Sequence, residues 1–252
     1  MVHDLDALAD WFAIEDWPGA PCPACGRGTL TVSEPVIHET AASENVHGHF
    51  AWDPEWVSGY FTAELRCARS QCREVVVATG KMRVRSLGAA PPDDYVQEFR
   101  LRFTDPALPM INLPPGSPED VASRVAEAGL LIWADPSAAA NRLRLATEQI
   151  LDQQGVPRYP DTTKGKDVPL KTHNRIDLFR KDNPEVAAIL EAVKWIGNQG
   201  SHEDVLTQRD VLEGASFLEH ALKVLYDTSA DEIARRVRAI NEANRLRGRP
   251  NR

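Results

Sequence analysis

Four cysteines in two close pairs constrain this chain more than any other feature of its sequence. Cys22–Pro23–Ala24–Cys25–Gly26 places two sulfurs within one tight turn, and the glycine admits the backbone dihedrals such a turn needs. Cys67 and Cys72 form a second pair, looser in spacing, just past a stretch of strand character. Two turn-borne pairs supply four thiolates, the donor set of a closed tetrahedral zinc site. A closed site is structural, because no coordination position is left for a substrate. The expectation is a structural Zn2+ held by Cys22, Cys25, Cys67 and Cys72, with a set of reduced core thiols as the other reading. His38, His47 and His49 lie between the pairs and, with four sulfurs at hand, read as loop residues.

Around these cysteines the chain alternates strands with turns. Residues 29–37, 57–66, 74–85 and 95–103 are rich in β-branched and aromatic side chains. Met82 and Val84, then Val96, Phe99, Leu101 and Phe103, supply the inward side of a half-buried sheet. Gly80, Gly88 and the cluster Pro91–Pro92–Asp93–Asp94 punctuate the strands as turns, and residues 39–55 read as a long loop. Residues 1–112 are therefore expected to form a zinc-ribbon-like antiparallel β domain.

Helical periodicity takes over after Pro114–Pro115–Gly116. Ser117 is placed to cap a helix whose first turn carries Pro118, Glu119 and Asp120, acids that suit the helix dipole. A second helix starts near Asp135–Pro136–Ser137, carries Leu143, Ala146, Thr147, Ile150 and Leu151 on one face, and stops at Gly155. An exposed loop over 158–171 and a short helix over 172–180 follow. Pro184 opens a helix striped with Val186, Ile189, Leu190 and Val193. Thr207 caps a long one carrying Val211, Ala215, Leu218, Leu222 and Leu225. Short connections between such helices predict an antiparallel bundle over 113–228, followed by a basic helix or tail over 229–252. The fold class expected is α+β.

Charge and motifs narrow the function classes. The net charge of −8 argues against a protein that coats nucleic acid with its whole surface. Residues 231–252 carry seven arginines against three acids, leaving −12 on the remaining 230 residues. Such a basic end can contact phosphates or an acidic partner, or stand as a solvated terminus. Residues 1–16 hold five acids and no Lys or Arg, unlike a secretory or transit segment, and no apolar run approaches a membrane span. The expected setting is cytoplasmic, away from membranes, where paired cysteines bind metal more often than they form disulfides. No phosphate-binding glycine loop, dinucleotide fingerprint, nucleophile elbow or zinc-protease helix is present. His173 and Asp177, four apart, read as an exposed helix pair.

One helical segment is built against its own stability: Lys194–Trp195–Ile196–Gly197–Asn198–Gln199–Gly200–Ser201–His202. If the helix continues, Asn198 and His202 share a face, and glycines at 197 and 200 allow close approach of a neighbouring helix or a ligand. A histidine there can act as general base on a ribose hydroxyl, or it can cap a helix end. Trp133 and Trp195 read as core or interface aromatics.

Together with the preceding run Ser137–Ala138–Ala139–Ala140–Asn141–Arg142–Leu143–Arg144–Leu145–Ala146–Thr147–Glu148, this GN-x-x-x-H segment resembles the bacterial "domain of unknown function 4145" family over about residues 117–227. That family is grouped with the helical HEPN superfamily, which includes defence and toxin ribonucleases as well as inactive, structural members. The resemblance implies a HEPN-like bundle, a homodimer through it, and a role in antiviral defence or stress response. Active members carry an Arg before the polar residue that precedes their His; here Asn198 and His202 match, but Gly197 stands in the position of the Arg. Arg144 and Glu148, motif residues of the family, either supply the missing charge across the bundle or form an ordinary intrahelical pair. Two functions follow. One is a binding or regulatory protein that recognises RNA or a protein partner. The other is a metal-independent RNA endonuclease with His202 as general base and Asn198, Arg144 or Lys194 orienting a phosphate.

Overall fold

The computed structural model describes residues 5–88, 94–160, 168–199 and 206–243. Its first half is a seven-stranded antiparallel sheet: β1 (Phe12–Ala13), β2 (Ala20–Pro21), β3 (Thr29–Val32), β4 (Val36–Glu39), β5 (Ser58–Cys67), β6 (Val75–Ser86) and β7 (Tyr95–Asp105). The long strands β5, β6 and β7 pair in sequence order at its centre. β3 and β4 both pair with the outer side of β5, and β2 and β1 close the two ends.

The segment expected as one strand over 29–37 is two. Ser33, Glu34 and Pro35 interrupt it, and the register with β5 slips by one residue between Val32↔Leu65 and Val36↔Thr62. Pro35 has no N–H to give to the ladder, and Ser33 bridges the gap through bonds to both backbone groups of Glu64. A second irregularity falls between Thr79 and Gly80 opposite β7. A Cβ on Gly80 would collide with the Arg100 carbonyl oxygen and with Phe61, so only glycine lets the strands close there. The bulge inverts the pleat of β7 beyond Leu101, so that Thr104 is buried and Phe103, expected inside, is exposed. The expected loop over 39–55 holds a short helix, α1 (Ala41–Glu44), anchored by Ser43, whose hydroxyl donates to Glu39 at 2.7 Å.

The second half is helical: α2 (Glu119–Leu131), α3 (Pro136–Gln153), α4 (Thr172–Phe179), α5 (Pro184–Gln199), α6 (Gln208–Tyr226) and α7 (Ser229–Ala243). Asp135 caps α3 by accepting from the Ala138 N–H at 2.9 Å. Thr207 and Asp210 form a reciprocal capping box at the start of α6. Ser117 does not cap α2: Pro118 occupies the cap position, and the buried Ser117 hydroxyl has no partner among the described residues. α3 is the hub, packing against α2, α4, α5 and α6, with Leu143, Ala146, Ile150 and Leu151 at 1% exposure or less. Trp133 joins this core, whereas Trp195 is 58% exposed.

Sheet and helices share one continuous hydrophobic core. The 3-10 turn Leu5–Ala9 packs on α6 and β7, and Asp10 pairs with Arg209 at the start of α6. Ile233, Val237 and Ile240 are exposed along α7. No helix among the described residues is long and apolar enough to cross a membrane.

Candidate functional site

The two cysteine pairs meet at one end of the sheet. Cys22 follows β2 directly, and its N–H donates to the Gly28 carbonyl at 2.9 Å, closing the hairpin to β3. Cys67 ends β5 in register with Leu30, and its N–H donates to the Glu74 carbonyl at 2.9 Å. Each turn reverses through a left-handed residue placed immediately after its second cysteine: Gly26 at φ 58° and Arg73 at φ 55°. Two separate hairpins thus present two sulfurs each to a common centre.

All four Sγ atoms lie within 4.8 Å of one another, and Cys22–Cys72 and Cys25–Cys67 are each 3.8 Å apart. Sulfurs arranged tetrahedrally at about 2.3 Å from an ion have edges of about 3.8 Å. A disulfide needs about 2.05 Å, and all four cysteines are free. The donor set therefore fits a tetrahedral, thiophilic ion with no open position. His47 is engaged elsewhere, at 2.7 Å from Glu39.

The backbone is arranged for thiolates. Burial pushes the Cys22 thiol up to about 12, against the N–H groups of Cys25 and Ala24 that point to its sulfur. Cys25 lies at about 6, pulled down chiefly by the Arg27 N–H and helped by that of Gly28. The Glu74 N–H favours the Cys72 thiolate, but desolvation and the neighbouring Cys25 sulfur outweigh it and raise this thiol. Packing four sulfurs this closely without a cation keeps protons on some of them; an ion displaces those protons. Gly28 completes the cradle, since a Cβ there would intrude on the Cys67 sulfur. The closely spaced second glycine after Cys25 was the available signal for this role.

The helical candidates form a polar seam along α3, α4 and α5. Gly197 lies against α3, where a Cβ would come within 2.7 Å of the Arg144 Cβ and 3.0 Å of the Ala140 carbonyl oxygen. Arg144 pairs with Glu148 one turn on and bonds Asn141 at 3.1 Å, while Thr172 donates to Glu148 at 2.7 Å. Beside it Lys194, only 4% exposed, stands 3.4 Å from His173 Nδ1 and 3.5 Å from Glu191, over the face of Trp195. His173 thus belongs to an interhelix cluster in addition to its pairing with Asp177. Asn198 is half-buried near the end of α5, and His202 lies outside the described residues. The seam brings Arg144, Glu148 and the Gly197 turn together.

Sequence reasoning missed Arg175. It is 4% exposed on α4 and reaches Asp152 at 2.7 Å and the Val156 carbonyl at 2.9 Å. A charged residue in a short helix with few apolar neighbours carries no periodic signal of burial.

Residues 10–107 match a family model described as Domain of unknown function (DUF8608), and residues 126–243 match one described as Domain of unknown function (DUF4145). The first spans the cysteine-bearing sheet. The second covers the helices from within α2 and includes α7. No curated protein and no solved structure matches the chain.

Two outcomes follow from the geometry of the centre. Gly28→Ala, which removes no ligand, lowers bound metal as the sulfurs are forced apart; elemental analysis of the purified variant reads this. Metal affinity rises with pH because ligand protons must leave. Below about pH 6, where metal-free Cys25 also holds a proton, the slope of log affinity against pH steepens by one. Competition with a chromophoric chelator across that pH measures the slope.

Proposed function

We propose that this protein is a zinc-stabilised, HEPN-like binding or regulatory protein of the cytoplasm that recognises RNA or a protein partner and works as a homodimer through its helical half. A role in antiviral defence or stress response accompanies the family resemblance. The observation that carries the binding reading is the fit of Gly197 against α3. The arginine that active ribonucleases of this pattern place before the polar residue has no room there, because even a Cβ would press on Arg144 and the Ala140 carbonyl. Arg144 is held by Glu148 and Asn141, so its guanidinium is committed within the bundle. Zinc is the ion suited to four closed thiolates in a reducing compartment.

A second reading, an RNA endonuclease with His202 as general base, draws on the seam: Lys194, His173, Arg144 and Asn198 supply cation, imidazole and amide on adjacent helices. Incubating total RNA with the purified protein, with His202→Ala and with Gly197→Arg separates the two. The binding reading predicts no cleavage by any of the three and a less stable Gly197→Arg protein, by about 1–3 kcal/mol for overpacking a helix crossing. Cleavage by the native protein that is lost in His202→Ala overturns it.

A further inference from the structure

Residues 28–65 hold six acids and no lysine or arginine, and aromatic rings stand exposed among them. Between α1 and β5, Phe50 is 97% exposed, and Trp52 and Trp56 also reach solvent. Two histidines brace these rings. His47 packs on Trp52, with ring centroids 5.4 Å apart, and His49 packs on Phe50 at 4.6 Å and on Trp56 at 5.5 Å. The same segment carries Glu39, Glu44, Asp53 and Glu55. Glu39 receives His47, Asp53 accepts the Glu55 N–H, and Glu55 accepts the Ser86 N–H. Among the described residues, no lysine or arginine pairs with any of these four acids. Large rings left in water mark an interaction surface. Rings beside carboxylates attract a guanidinium above all, since it can lie on an indole face and meet an acid at once.

A surface of complementary character lies on the same chain. On α7, Ile233, Val237 and Ile240 recur at helical spacing and form one exposed face. Arg236, three residues after Ile233 and four before Ile240, borders that face. Arg235 reaches Glu232 at 3.9 Å, while Arg236 and Arg238 meet no carboxylate among the described residues. A helix of 15 residues draws most of its stability from packing an apolar face, and this face is open to water.

We infer that the aromatic loop of one chain is the docking site for α7 of a second copy. The face formed by Ile233, Val237 and Ile240 lies on Phe50, Trp52 and Trp56, and the arginines of α7 meet the acids of the loop. Charge selects this occupant. One segment has six acids and no base, while residues 231–252 have seven arginines against three acids. Pairing α7 with a second α7 would bring arginines together instead. The contact goes beyond the homodimer proposed above, because one of its sides belongs to the sheet half, and it does not use the reading of Gly197.

The test is sedimentation velocity on the full chain over a concentration series. One variant, Phe50→Ala with Glu44→Lys, alters the loop at two exposed side chains. The other, Arg236→Glu with Val237→Ala, alters α7 and keeps its helix propensity. Circular dichroism verifies that both are folded. The native chain associates at about 10 µM, and each variant alone does so at least about tenfold more weakly. An equal mixture of the two variants regains association, because the intact α7 of one seats on the intact loop of the other. Pairing between two α7 helices would leave the loop variant as associated as the native chain, and that result overturns the inference. So does a mixture that forms no complex. A native dimer unchanged in both variants overturns this contact while leaving the helical homodimer standing; a native chain that stays monomeric throughout overturns both.

Discussion

Convergence of four sulfurs at one end of the sheet is the constraint on which the first half of this protein depends. β2 has two residues and β3 four, lengths at which ladder hydrogen bonds alone hold a hairpin poorly in water. The cysteine turns tie that hairpin to the end of β5 and the turn into β6, two places distant in sequence. A single ion would then replace a web of side-chain contacts that these short turns cannot supply. The charge balance points the same way, because four adjacent thiols with raised and lowered proton affinities are an unsettled arrangement until a cation fixes all of them as thiolates.

The helical half solves a different problem. α3 runs through the middle of its neighbours, and its alanines and Gly197 on α5 let two backbones come close. Close crossing concentrates polar groups beside it. Arg144, Glu148 and Thr172 satisfy one another across α3 and α4, and Lys194 is buried among Glu191 and His173 at the α4–α5 contact. Charges inside a bundle persist only when paired, and here nearly every guanidinium has a carboxylate within reach. At the end of α3 one carboxylate serves two arginines, Asp152 receiving both Arg158 and Arg175.

Much of this was legible in the sequence, and the gaps have definite causes. The cysteine spacings, the capping residues Asp135 and Thr207, and the stripe from Leu143 to Leu151 each act through neighbours a few positions away. The break at Pro35 and the bulge at Gly80 do not: each is decided by what lies on the adjacent strand. Phe103 was misread for that reason, its pleat inverted by a register slip no alternation pattern reveals. Lys194 and Trp195 exchange the places their chemistry suggests, the lysine inside and the indole out, because Glu191 and His173 from the neighbouring turn and helix receive the ammonium. Arg175 was hidden likewise, its partners lying on the preceding helix and just past its end.

The most direct test of the account is the metal content of the purified chain, followed by chelation under reducing conditions. The account predicts one zinc ion per chain. Its removal collapses the β-sheet part of the circular dichroism and the amide protection of β2, β3 and the end of β5, while the helices from α2 to α6 keep theirs. A chain that purifies without metal and holds its sheet fully protected would contradict it.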